Sequence, residues 1–235
     1  MPSSATIHRQ DRPSILAGYA TLPDVPDELM REDGSIKPEW FSLIAHLDGL
    51  HPDERERAFA RGAQYLRDAG VFVRHYGEEQ NPRDWPLSPV PVIQPARDWK
   101  ALGEGLAERA DLLEAIVADL YGENRLVSEG HLPAGIVASN PEWLRPLIGV
   151  KPASGHFLHF VGFEIGRGSD GKWWVLGDRT QAPSGAGYAL ENRVASVRAF
   201  PGFYSGSNVE RLVGFFRGFR DGLNAMRREE GSRAG

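Results

Sequence analysis

One short stretch interrupts an otherwise helical pattern and limits what this chain can fold into. Phe157, His159, Val161, Phe163 and Ile165 alternate through 156–165. Gly168-Ser169-Asp170-Gly171 then supplies turn chemistry before a second run at 172–178. A period of two places alternate side chains on one face of a strand, so the stretch predicts an antiparallel hairpin. Around it the apolar residues recur at three and four. Trp40, Leu43, Ile44, Leu47 and Leu50 follow Pro38, and Pro52 with Asp53 and Glu54 opens a second helix that should stop at Gly70. Val71-Phe72-Val73 reads as a short strand. Pro82, Pro86, Pro89 and Pro91 make 76–96 an extended connection. A long helix from about Asp98 to Tyr121 carries Leu102, Leu106, Leu113, Ile116 and Leu120, with Gly122 as its stop. Asn140-Pro141 is a further helix start. Another helix begins near Tyr188, and the last, over 208–228, presents Val209, Leu212, Phe216, Phe219, Leu223 and Met226. The order of helices, hairpin and helices predicts an α+β fold, with a helical N-terminal part packed on a small antiparallel sheet. Residues 1–36 read as an irregular arm, 37–228 as the folded domain and 229–235 as a flexible tail.

Composition narrows the partners. The 235 residues carry a net charge of −5 and 25% charged side chains, without the basic footprint of a nucleic-acid binder. There is no cysteine, which removes disulfides, thiol nucleophiles and cysteine metal sites. The first fifteen residues show no signal-peptide core and no apolar run is long enough to span a membrane, so the expected location is cytoplasmic.

The densest polar cluster runs from Glu164 to Arg193. Glu164 and Asp178 on adjacent strands could hold Mg²⁺, which takes oxygen ligands. They share a face only if a three- or five-residue loop sets the register; a two- or four-residue loop separates them. The plain alternative is a solvated hairpin with scattered charges. Pro183-Ser184-Gly185-Ala186-Gly187 before a helix offers backbone donors and a positive dipole end to an anion, or simply turns the chain. Arg179 and Arg193 flank it, and arginine suits bidentate contact with phosphate or carboxylate. Glu191 could serve its own helix's first turn. His156 and His159, three apart in a strand, point to opposite faces and share no metal. No Gly-x-Ser-x-Gly elbow, phosphate-loop lysine motif or dinucleotide fingerprint is present.

The string Asp178-Arg179-Thr180-Gln181-Ala182-Pro183-Ser184-Gly185-Ala186-Gly187-Tyr188-Ala189-Leu190-Glu191-Asn192-Arg193 resembles the signature of the circularly permuted ATP-grasp family, type 2. Further stretches resemble it in the same order: Pro38 to Gly70, Trp85-Pro86-Leu87, Leu102 to Tyr121, His131-Leu132-Pro133 and Pro141 to Val150. The resemblance implies a partial ATP-grasp-like fold that holds ATP and Mg²⁺, activates a carboxylate as an acyl phosphate and joins it to an amine, as in peptide-type ligation. It implies Glu164 and Asp178 on the metal side and Arg179 and Arg193 as phosphate or carboxylate clamps. Ser184, Gly185 and Gly187 would form an anion-binding turn, with Gln181 and Asn192 as substrate- or phosphate-binding groups and Glu191 as a polar positioner near the chemistry. Related sequences carry Asp where Glu164 stands, and many ATP-grasp proteins place Glu-x-Asn where this chain reads Gly177-Asp178-Arg179. The implied partners are a complementary second-half chain, or further copies of this one, and a small-molecule or peptide substrate. The alternative is a non-catalytic relative that keeps the fold as a binding or scaffolding module.

Overall fold

Trp40, Leu43, Ile44 and Leu47 are all buried in the computed structural model, which describes residues 13–73 and 83–233. Residues 1–12 of the expected arm, 74–82 with Pro82, and 234–235 lie outside the described residues. The chain divides into two compact units. The first comprises Met1–Ala96, Gly166–Trp174 and Ser184–Glu210, the second Arg97–Ile165, Val175–Pro183 and Arg211–Gly235.

The first unit holds the hydrophobic core. A single 3₁₀ turn over Pro38–Trp40 leads into α1, Phe41–Asp48, which buries Leu43, Ile44 and Leu47. Helix α2, Pro52–Asp68, starts as its sequence indicates. Pro52 needs no donor at that position, and Glu54 Oε2 accepts the N–H of His51 at 3.0 Å. It ends at Gly70, whose φ of +74° lets the chain turn back while the Val71 N–H reaches the Leu66 carbonyl at 2.9 Å. The strand expected at 71–73 is β1, Phe72–Val73. Its antiparallel partner is β2, Arg83–Asp84, inside the stretch that the prolines mark as a connection.

Residues 13–36 are irregular, yet they belong to this core. Leu16, Leu29, Met30 and Ile36 are buried with α1, and Asp48 ties the segment down by accepting from Ser14 Oγ at 2.7 Å and the Ile15 N–H at 2.8 Å. Helix α6, Ala186–Ala199, completes the core through Ala199 and Phe200, and Pro201 opens the short α7, Pro201–Gly206. The helical N-terminal part therefore packs chiefly on another helix rather than on a sheet. Gly62 makes this contact possible. A Cβ there would lie 3.3 Å from the Ala195 carbonyl oxygen and 3.5 Å from Ala199 Cβ, so α2 and α6 meet almost backbone to backbone.

The second unit is built differently. Helix α3, Ala96–Leu120, follows the expected bounds, but none of its residues is fully buried. Asp119 ends it by accepting the N–H groups of Arg125 and Leu126, both at 2.9 Å, which opens α4, Arg125–Ser128. Helix α5, Ala134–Ala138, precedes Asn140-Pro141. No helix starts at that pair. Asn140 Oδ1 instead accepts the Glu142 N–H at 2.9 Å and closes a turn, followed by a 3₁₀ turn at Arg145–Leu147. The hairpin strands are β3, Gly162–Arg167, and β4, Trp173–Arg179, in a two-stranded sheet whose turn end, Gly166–Trp174, belongs to the first unit. The first strand is shorter than its alternation indicates because the Glu114 carboxylate takes the N–H groups of Phe157 and Leu158, both at 2.9 Å or less, that a ladder would have used. The final helix, α8, spans Val213–Arg233. It starts after Val209 and Leu212, and its backbone continues through the charged stretch from Arg227, whose Arg and Glu residues are good helix formers. Val137 is the sole buried apolar side chain of this unit among the described residues.

The architecture is thus mostly helical, with two small two-stranded antiparallel sheets. No helix among the described residues is long and apolar enough to cross a membrane. Leu47 is 1% exposed at the centre of the first unit's core. Leu47→Ala should lower the unfolding free energy by about 2–5 kcal/mol, read from the shift of the urea midpoint.

Candidate functional site

The residues singled out by sequence fall in both units. Ser184, Gly185, Gly187, Glu191, Asn192 and Arg193 belong to the first, Glu164, Asp178, Arg179 and Gln181 to the second.

In the first unit, Gly185 stands at the N-cap of α6 with φ +118°, a left-handed conformation that glycine adopts without a Cβ penalty. No side chain caps the helix. The N–H groups of Ala186, Gly187 and Tyr188 find no acceptor among the described residues and stand at the positive dipole end of the helix. Among the described residues nothing lies within 4 Å of a Cβ built on Gly187, so the space beside that residue is open. The turn is held from the side by Trp85, whose ring stacks on Tyr188 at 4.4 Å and 12°.

The polar residues further along α6 are committed to packing. Glu191 Oε2 accepts the hydroxyl of Tyr65 on α2 at 2.6 Å, which pushes the phenol's pKa up, and Arg198 covers the Tyr65 ring at 4.4 Å. Arg193 Nη1 donates to the Glu210 carbonyl at 2.8 Å and ties the following loop to the helix. The Asn192 carbonyl accepts from Ser196 Oγ at 2.9 Å, while Asn192 Oδ1 is shut away from solvent and has no hydrogen-bond partner among the described residues.

In the second unit the two acids of the hairpin part company. A Cβ on Gly177 would stand 3.9 Å from Glu164 Cβ, so Glu164 and Gly177 are opposed on one face, and the next residue, Asp178, turns to the other. Each acid has its own arginine. Arg179 Nε donates to Glu164 Oε1 at 2.9 Å, with Nη2 on the same oxygen. Asp178 takes a bidentate pair from Arg109 of α3, Nε to Oδ1 and Nη2 to Oδ2, both at 2.7 Å. Gln181 Nε2 donates to Glu142 Oε2 at 2.7 Å. The hydrogen bonds from Arg109 hold the Asp178 carboxyl below the ordinary carboxylate range. Arg109, Glu142, Tyr65 and Trp85 were not among the expected site residues. Asp178 and Arg109 are 69 positions apart and Tyr65 and Glu191 are 126 apart, beyond the reach of any local spacing rule.

This geometry separates what the site can hold. Oxyanions fit the first turn of α6, with its free donors and open glycine. A magnesium ion shared by Glu164 and Asp178 does not fit, because they lie on opposite faces and each neutralises a guanidinium. No group of three or more His, Asp or Glu side chains is arranged for a metal among the described residues.

The comparison with known families agrees with the signature. The chain belongs to the circularly permuted ATP-grasp family, type 2, whose description matches residues 91–234. An uncharacterized Mycobacterium tuberculosis protein is 33% identical over 224 residues, covering 86% of this chain and 25% of that protein. An uncharacterized Synechocystis protein is 34% identical over 179 residues, 76% of this chain and 37% of its own length. A Frankia alni protein provisionally named glutamate--cysteine ligase 2-3 is 35% identical over 193 residues, 82% of this chain and 22% of that protein. The chain spans well under half the length of each of these relatives.

The Arg109 pair makes a pH-dependent contribution. A depressed carboxyl pKa means that its stabilisation is present at neutral pH and is lost as pH falls from the ordinary carboxylate range through the folded value. Arg109→Gln should move the Asp178 titration, followed by NMR, upward out of its depressed range. Its urea midpoint should fall below wild type at pH 7 and converge with it in acid. An unshifted Asp178 titration would dismiss the pair as its cause.

Proposed function

We propose that this chain takes part in ATP-dependent carboxylate–amine ligation, with the N-terminal turn of α6 receiving nucleotide phosphates. The observation that carries the reading is the set of free N–H groups at Ala186, Gly187 and Tyr188, inside the sixteen-residue signature of an ATP-grasp family member. ATP-grasp membership implies ATP as the nucleotide. In the proposed chemistry the γ-phosphoryl group passes to a carboxylate oxygen and ADP leaves. An amine then attacks the acyl carbon, phosphate departs, and the nitrogen gives up its proton. This chain's part is positional: backbone donors orient the phosphates, and Trp85 keeps their turn in place through Tyr188. Magnesium is not assigned to Glu164 and Asp178.

The ligation also calls for further polypeptide, a complementary segment or another copy of the chain. The near absence of buried apolar side chains in the second unit supports this: Leu112 of α3 is 59% exposed and Phe215 and Leu223 of α8 are 46% and 48% exposed. The Frankia relative's name supports ligase chemistry. The arginine pairing of Glu164 and Asp178 favours a second reading, in which the chain keeps the fold as a non-catalytic binding module.

Isothermal titration with ATP and Mg²⁺ tests the assignment. Wild type should bind, and Gly187→Leu, which fills the open space without backbone strain, should bind at least about ten-fold more weakly. No heat from the chain alone, nor from the chain joined to the rest of a longer relative, would remove the ligase reading. Nucleotide binding without amide formation from supplied carboxylates and amines would leave the binding module.

A further inference from the structure

We propose that the cleft formed by α1, α2 and the α6–α7 junction binds a small organic oxyanion through Arg57 and Arg61. The cleft lies within the first unit, is open to solvent and measures about 330 Å³, at the small end of ligand sites. Its floor is apolar and buried: Ala58, Ala199 and Phe200 are 2%, 3% and 2% exposed. His46 forms a wall, set edge-on to Phe200 at 5.8 Å.

Two cations stand over this floor. Arg57 and Arg61 are four residues apart on α2 and so share a helix face, where like charges repel. Arg61 spends a single Nη2 donor on the Ala199 carbonyl, at 3.1 Å, which fixes its head at the rim. Arg57 makes no hydrogen bond or ion pair among the described residues. Its neighbours on the same helix are spent: Arg55 donates to the Leu47 and Leu50 carbonyls, and Arg67 pairs with Asp84. The acid in the cleft, Glu54, already accepts the His51 N–H at the start of its own helix. An oxyanion placed between the guanidinium groups would relieve their repulsion and use their planar forks, while the floor accommodates a short carbon body. The ligand class is a carboxylate- or phosphate-bearing small molecule.

This site is distinct from the turn at Gly185–Tyr188. The two lie at opposite ends of α6, a separation of ~20 Å for a fourteen-residue helix. Titration of the chain with inorganic phosphate, and separately with succinate, tests the proposal by calorimetry at low salt. Both are repeated in the Gly187→Leu background so that the N-terminal turn of α6 does not contribute. Binding should persist in that background, weaken about ten-fold in Arg57→Gln and in Arg61→Gln, and survive in the control Arg217→Gln. Arg57→Lys, which keeps the charge and loses the fork, should retain part of the affinity. Tighter binding of phosphate identifies a phosphate-bearing ligand, and tighter binding of succinate a carboxylate. The proposal is overturned if neither anion binds at millimolar concentration, or if binding is the same in Arg57→Gln as in wild type.

Discussion

The close approach of α2 to α6 is the contact on which the first unit depends. Gly62 has no side chain, and the alanines at 195 and 199 present almost none, so the two helices pack with little between them. This brings Phe200 into the core beside α1, lets Tyr65 reach Glu191, and carries Arg61 to the Ala199 carbonyl. Because α6 is one continuous helix, fixing its flank also sets the direction of its axis. The proposed phosphate turn is therefore not a loop feature alone. It is the exposed end of an element whose other end is locked into the hydrophobic core.

The charged residues of the signature divide by what they touch. Glu191 and Arg193 hold α6 against its surroundings, one through a phenol and the other through a backbone carbonyl. Glu164 and Asp178 are each compensated by arginine. Among the described residues the first-turn N–H groups of α6, beside glycines at 185 and 187, also lack a partner. Donors of that kind bind by geometry rather than by net charge, which is compatible with a weakly acidic chain under the proposed function.

Much of the fold was legible where the signals are local. Pro52 and Gly70 bracket α2 as their backbone preferences require, and the alternation on either side of Gly168–Gly171 marks the hairpin. The turn of α6 was legible in the same way, from its run of small residues. The misreadings come from side chains that capture backbone at a distance. Glu114 takes the N–H groups of Phe157 and Leu158 and shortens a strand whose alternation is otherwise regular. Asn140 caps a turn and no helix follows. The faces of Glu164 and Asp178 depended on register, which a spacing rule states only conditionally, and the contact with Gly177 decides it against a shared face. Arg109 and Trp85 carry no local mark at all, because what gives them meaning is a partner far away in the chain.

The first turn of α6 is the proposed place where nucleotide phosphate meets this chain. Backbone amide chemical shifts followed by NMR during addition of ATP address that directly. The largest changes should fall on Ala186, Gly187 and Tyr188, with the Trp85 indole responding through its stack on Tyr188. Saturable shifts confined to other parts of the chain, with those three amides unmoved, would contradict it.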